Sequence, residues 1–298
     1  MSTQQHQGNP PTPRISLRAV TKDFQVRPAK DTPSGRVLRA LEDITLDVAA
    51  GELLTLVGPS GSGKTTLLDI LGGLSEPTTG EVLVDGRPVS GPGLDRGIVF
   101  QQYALFPWRT ALANVAFGLE GPQFRRQGLG KEERLERARE YLALVGLGGF
   151  EERYPHELSG GMKQRVAIAR SLAHEPGILL MDEPFAALDA QTREQLQDEL
   201  LRIWSATGTT AVFITHGIEE AVYLGQRVAV LSSRPGRLKA IVDIDLGDRT
   251  IGAERDLRST PEFVAYRHRL WELLHGEVAS AQRAGHQKIQ PDGTERAA

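Results

Sequence analysis

The chain has 298 residues, 40% hydrophobic and 24% charged, the composition of a folded globule long enough for one or two domains. A net charge of −3 argues against a strongly basic nucleic-acid-binding surface, and the absence of cysteine removes disulfides, thiolate metal sites and cysteine nucleophiles together. No apolar run approaches the ~18–20 residues of a membrane-spanning helix, and residues 1–14 lack the apolar core of a signal peptide.

Residues 1–14, rich in Gln, Pro and Thr, read as a disordered tail. Arg27 to Arg36, with Pro28, Pro33 and Gly35, reads as an exposed loop between two strand-like segments. Ile44, Leu46 and Val48 then alternate with polar residues as in a half-buried strand. Leu53–Val57, Ile178–Met181, Ala211–Thr215 and Val228–Leu231 are near-continuous apolar runs, the pattern of parallel strands covered on both faces. Gly80–Gly86 reads as a strand and a turn. Helical patterns cover Thr65–Leu74, Lys131–Val145, Lys163–Ala173, Gln191–Ala206 and Ile218–Leu224. In the fourth, Leu196, Leu200, Ile203 and Trp204 form one buried stripe. Strand–helix alternation predicts an α/β sheet. Residues 102–175 are mostly helical and read as an inserted subdomain. Ile241–Leu246 returns to alternation, Glu262–Leu274 is a last amphipathic helix, and the polar residues 277–298 read as a flexible tail.

Gly58-Pro59-Ser60-Gly61-Ser62-Gly63-Lys64-Thr65 follows a buried strand and opens a helix, matching G-x-x-x-x-G-K-[ST]. Glycines let the backbone curl its N–H groups toward phosphate oxygens, and the helix N-terminus adds a favourable dipole. Lys64 can then reach the β- and γ-phosphates, while the Thr65 hydroxyl is placed to bind Mg²⁺. Such a site also needs a carboxylate at the end of a neighbouring strand. Ile178–Met181 supplies one in Asp182, followed by Glu183. The first acid can hold the metal shell and the second can orient or deprotonate a water. His216 closes the strand Ala211–Thr215 and reads as a further functional group at a strand's carboxyl end. These residues define a P-loop NTPase. A second glycine-rich turn, Leu158-Ser159-Gly160-Gly161-Met162, precedes the helix Lys163–Ala173 and makes a second anion-ready helix start.

This set, in this order, resembles the ATP-binding cassette (ABC) family over about residues 15–245. Gly58–Thr65, with Thr66, is similar to its Walker A loop, Leu158–Met162 to its signature motif, and Ile178–Glu183 to its Walker B strand with the following Glu. Ala187-Leu-Asp189 looks like its D-loop, Gln101 in Val99-Phe-Gln101 like its Q-loop, and His216 like its switch histidine. Phe24 in Thr21-Lys-Asp-Phe24 matches the aromatic that stacks on adenine, the reading favoured over a core aromatic. Two departures are Met162 where Gln is common and Gly217 where Asp is usual. The resemblance implies an α/β P-loop core with a mixed sheet, an antiparallel β segment and an inserted helical subdomain. The cassette would span 15–276, with a C-terminal helical extension over about 255–276.

It also implies ATP and Mg²⁺ as ligands, with Thr65, Gln101 and Asp182 at the metal. Glu183, His216, Lys64 and Gln101 would perform hydrolysis, and Ser159, Gly160, Gly161 and Asp189 would act in trans from a second copy. One cassette, no long heptad region and no zinc-binding cysteine argue for transport over DNA repair or translation. Leu105, Phe106 and Trp108 sit together in Tyr103–Arg109, as a groove for an integral membrane permease or as core of the insert. Ser90–Gln101, Asn114–Gly118, Ser232–Gly236 and Thr260–Val264 look like the nitrate, taurine and aliphatic sulfonate importers. That branch implies a peripheral subunit on the cytoplasmic face of the inner membrane, linked indirectly to a solute-binding protein. The alternative is a soluble ABC ATPase in nucleic-acid maintenance or assembly.

Overall fold

The computed structural model describes residues 13–26, 36–247 and 257–287. Two long strands, β1 (Ile15–Val26) and β2 (Arg36–Val48), open the fold. The β3 strand (Leu53–Val57) leads into α1 (Lys64–Leu71), followed by β4 (Thr79–Val84), β5 (Arg87–Pro88) and β6 (Arg96–Val99). A helical stretch comes next, with α2 (Ala111–Phe117), α3 (Pro122–Arg126), α4 (Lys131–Leu144) and α5 (Gly160–Leu172). Strands and helices then alternate through β7 (Ile178–Asp182), α6 (Ala190–Thr207), β8 (Thr210–Ile214), α7 (Ile218–Leu224) and β9 (Arg227–Leu231). The chain continues through β10 (Leu238–Asp243) and a 3₁₀ turn at Leu257–Ser259 to α8 (Pro261–Gln287).

The strands form two sheets. Six strands run in the order β10-β9-β3-β8-β7-β6, parallel from β9 to β6 with β10 antiparallel at the edge. The other sheet is antiparallel, in the order β2-β1-β4-β5. Alternation within the apolar runs divides the core. Leu53, Val57, Leu179, Met181, Phe213 and Val230 face the helical layer. Leu54, Leu56, Leu180, Val212, Ile214 and Leu231 face α1 and the antiparallel sheet. Continuous burial along β3, β7 and β8 thus follows from cover on both faces. Phe213 and Phe185 are fully buried with ring centroids 5.6 Å apart, each worth roughly 1.5–3 kcal/mol in area removed from water.

Three expectations need correction. The helix after the second glycine turn begins at Gly160, not Lys163, because Ser159 is its N-cap and accepts from Met162 N. The last helix runs to Gln287, past Leu274 and into the stretch read as a tail, since Ala279, Ala281 and Ala284 favour propagation of a helix already nucleated. Arg14, assigned to the N-terminal tail, is held by Val48 O through its N–H and by Asp85 through its guanidinium, each at 2.8 Å. Residues 1–12, 27–35 and 288–298 lie outside the described residues, so the remaining tail and loop readings fall there.

Candidate nucleotide-binding site

Register brings the functional strand ends level. Leu56 of β3 pairs with Ile214 of β8, and Ile214 pairs with Asp182 of β7. Gly58 and His216 therefore lie two residues beyond one paired row, with Asp182 and Glu183 beside them. Ligands of parallel α/β sheets collect at such carboxyl ends. A cleft of about 640 Å³ opens there, lined by Phe24, Leu38, Ala40, residues 60–66, Glu183, His216 and Arg234.

The loop between β3 and α1 turns on two left-handed glycines, Gly61 at φ 76° and Gly63. Gly63 caps α1 with φ 89°, and a Cβ there would lie 2.6 Å from Leu41 Cδ2 and 3.0 Å from the Ala40 carbonyl oxygen. Glycine serves both the left-handed turn and the close approach of β2. No side chain caps α1, which keeps its first N–H groups for an anion. Lys64 is 8% exposed, and its Nζ donates to the carbonyls of Gly58 at 2.9 Å and Pro59 at 3.2 Å. Burial pulls the ammonium below its ordinary pKa, opposed by the charges of Glu183 and Asp182.

Asp182, the last residue of β7, is buried. Burial pushes its carboxyl up, opposed by a hydrogen bond from the Thr65 side chain. Its Oδ1 has no partner, as has the buried Ser62 Oγ. A buried carboxylate oxygen left unpaired beside a hydroxyl is the kind of hard-oxygen set that a divalent cation takes. Glu183 adopts φ 45° while its N–H donates to Ile214 O at 3.0 Å. A non-glycine residue in this left-handed region carries about 1–3 kcal/mol of strain, tolerated where the surroundings over-determine it. The turn points the carboxylate at His216, with Oε2 3.1 Å from Nδ1.

The structure brings together Phe24, Ser60–Thr66, Asp182, Glu183 and His216. Phe24 is 41% exposed on the cleft wall. It leaves other predicted residues apart. Gln101 is exposed just beyond β6 and is not among the cleft's lining residues. Ser159, Gly160 and Gly161 form the start of α5, away from the cleft, and a Cβ on Gly161 would meet Thr192 Cγ2 at 2.6 Å. Asp189 caps α6 by accepting from Thr192 N at 2.9 Å, and that bond holds its carboxyl below the usual range.

In the segment after Gln101, Leu105 packs on the core, Phe106 is half-buried and Trp108 is 71% exposed. Phe106 stands 5.5 Å from Trp108 and edge-on to Phe117 at 4.7 Å, between ring centroids. Sequence reading missed what holds this loop. Asn114 is fully buried. It accepts from Phe106 N at 2.8 Å and donates to the carbonyls of Phe106, Arg109 and Thr110. From α5, Arg170 donates to Ala104 O at 2.6 Å and Tyr103 O at 3.2 Å. Arg234 also stands in the cleft wall, and no pattern in Ser232–Gly236 marks an arginine there as a cleft residue.

The comparisons with known proteins agree with this geometry. Residues 41–186 match the ABC transporter family. An uncharacterized ABC transporter ATP-binding protein of Methanocaldococcus jannaschii is 56% identical over 265 residues, covering 89% of this chain and 92% of that protein. The nitrate import ATP-binding protein NrtD of Synechocystis is 51% identical over 82% of this chain and 91% of its own length. A taurine import ATP-binding protein, TauB of Burkholderia pseudomallei, is 49% identical over 81% and 92%. A solved dimeric ATP-binding cassette in a post-hydrolysis state, bound to ADP and Pi, aligns with a TM-score of 0.66 at 36% identity over 78% of this chain and 99% of that one. The P-loop cleft at the strand ends and these likenesses together place the chain in the ABC transporter family, as an ATP-binding subunit with ATPase activity.

Proposed function

We propose that the chain is the ATP-hydrolysing subunit of an importer for a small anionic or sulfonate- or nitrate-like solute. The observation that carries the reading is the gathering of Lys64, Asp182, Glu183 and His216 at the carboxyl ends of β3, β7 and β8. The solute class is supported by the names of the nitrate and taurine import relatives.

In this reading the N–H groups of residues 60–66 cradle the phosphates. Lys64 exchanges its bonds to the Gly58 and Pro59 carbonyls for β- and γ-phosphate oxygens. Phe24 offers an exposed ring to adenine. Among the described residues no cluster of three or more His, Asp or Glu could hold a metal by itself. Mg²⁺ would rest on Thr65 and Asp182 together with phosphate and water, with Gln101, outside the cleft in this structure, as a further ligand from the segment after β6. When bound it neutralises charge on the β- and γ-oxygens. Glu183 takes the proton of a water that attacks the γ-phosphorus, as the bond to the bridging oxygen of ADP breaks. His216 holds the Glu183 carboxylate and stabilises charge on the transferred phosphoryl group.

Ser159 and Asp189 are exposed at the starts of α5 and α6 and, with Gly160 and Gly161, would complete the site in trans, across a dimer of two copies. The dimeric form of the similar solved cassette supports this. Leu105, Phe106 and Trp108 would dock an integral membrane permease. A neighbouring groove of about 570 Å³, lined by Leu94, Phe100, Phe117, Arg96 and Arg170, adds to that surface. Arg170 also ties the loop to the helix that starts at the signature turn. A solute-binding protein would join through the permease. Among the described residues no helix is long and apolar enough to cross a membrane, so attachment to the cytoplasmic face of the inner membrane would be peripheral.

Glu183→Gln tests the chemistry. It keeps shape and hydrogen bonding but removes the base, so turnover falls roughly 10²–10⁴-fold while ATP binding survives. With ATP and Mg²⁺ this variant accumulates as a dimer by light scattering. Normal hydrolysis would move the base elsewhere. Co-purification with a multi-span membrane protein, set against stimulation by DNA, separates an importer subunit from a nucleic-acid ATPase.

A further inference from the structure

His216 stands on an exposed turn between β8 and α7, and its imidazole is 66% exposed. Its orientation must come from what holds the turn. Thr215, 2% exposed, brackets it: the Thr215 hydroxyl accepts from Gly217 N at 2.9 Å, spanning His216. The same hydroxyl donates to Glu220 Oε2. Gln197 of α6, 4% exposed, donates through Nε2 to Glu220 Oε1 at 3.0 Å, and its Oε1 accepts from Arg258 Nη2 at 2.7 Å. Arg258 belongs to the 3₁₀ turn before α8 and lies over the Tyr223 ring, 3.8 Å from its centroid. Donors and acceptors match at each link. Burial pushes the Glu220 carboxyl up, opposed by the bonds from Thr215 and Gln197. The four side chains line one cavity of about 790 Å³ that opens onto Glu183 and His216.

We infer that Arg258, Gln197, Glu220 and Thr215 form a positioning relay through which the segment after β10 holds the His216 turn against Glu183. None of the four touches the phosphate cleft, so the relay acts on the chemical step through His216 and not on nucleotide binding. The inference rests on the proposed function of His216 and Glu183 given above. Misplacing a reacting group by an ångström can cost up to about 100-fold in rate, which sets the scale of the effect.

Steady-state ATP hydrolysis by the full chain tests it. Thr215→Val removes the hydroxyl and keeps the shape; kcat drops about 10-fold or more with KM for ATP within about twofold. Thr215→Ser, which restores the hydroxyl, recovers most of that loss. In a His216→Ala background Thr215→Val has no further effect, because the relay acts through the missing imidazole. Arg258→Ala, at the far end, lowers kcat a few-fold with the same dependence on His216, and it decides the matter if Thr215→Val fails to fold. Equal losses with and without His216 would overturn the relay, as would full kcat in Thr215→Val or Arg258→Ala beside an impaired His216→Ala. Full turnover by His216→Ala alone would instead overturn the underlying reading of His216, and the relay with it.

Discussion

Two helices in this chain begin on glycine-rich turns, and glycine serves them for different reasons. At α1 the cap is Gly63 in the left-handed region, with no side chain satisfying the first N–H groups and a buried lysine next in line. At α5 the cap is Ser159 in an extended conformation, its hydroxyl accepting from Met162 N at 3.3 Å. Gly160 and Gly161 have ordinary helical backbones; they are small because Leu188, Tyr103 and Thr192 press on them. The first turn is shaped to wrap an anion. The second is shaped to lie close on α6 while leaving Ser159 exposed. One chain thus carries a glycine loop that lines the cleft at the strand ends and, elsewhere, a glycine turn that packs on α6 and is not part of that cleft. That division is what a head-to-tail pair of copies would use.

The comparison can be broken at either turn. Lys64→Ala should have the largest effect, since it deletes the cation buried inside the first turn: ATP turnover falls by about 10²-fold or more and binding weakens. Calorimetry together with phosphate release checks both, and unchanged values would exclude this loop as the active site. Ser159→Arg strikes the second turn. It should lower turnover by blocking ATP-driven dimerisation, read by light scattering, while ATP binding by the monomer stays near wild type. Loss of monomer binding would mean that both turns serve the same nucleotide within one chain.

Two further predictions sharpen the contrast with smaller effects. Truncating an aromatic anchor that becomes buried in an interface commonly costs about 2 kcal/mol or more, roughly a 30-fold loss in affinity. Phe106→Ala combined with Trp108→Ala should therefore weaken permease association by about that factor, leaving ATP binding by the isolated subunit near wild type. A well-folded double variant with intact transport would move docking to the groove lined by Phe100 and Phe117. Gly161→Ala should destabilise the fold by about 1–3 kcal/mol through overpacking against Thr192. Chemical denaturation measures this, and ATP affinity of the folded fraction should hold. An alanine tolerated without loss would show that close approach of α5 and α6 is not what requires glycine there.

Much of the fold could be read from the chain. The buried strands announced themselves as β-branched and leucine-rich runs, and the predicted Ile218–Leu224 helix and Leu53–Val57 strand match α7 and β3. Short or weakly patterned elements escaped. The four residues of β6 include Arg96 and Gly97, and α2 places the buried polar Asn114 among its apolar positions, which blurs its period. For the site, Asp182, Glu183 and His216 were legible because they end or closely follow buried strands, and Lys64 because it closes the glycine loop that joins β3 to α1.

What the sequence by itself determined is therefore the inventory: the buried strands, the glycine turns, and the acids and histidine at or just past the ends of β7 and β8. Which of these meet was decided by tertiary structure. Glu183 reaches His216 across 33 positions, and Arg258 reaches Gln197 across 61. Such contacts depend on strand register and on how α6 and the turn before α8 pack, which no local periodicity encodes. Hydrophobic patterning is a property of neighbouring residues and survives in the one-dimensional chain. The pairing of a carboxylate with a distant imidazole or amide exists only once the sheet has set their separation.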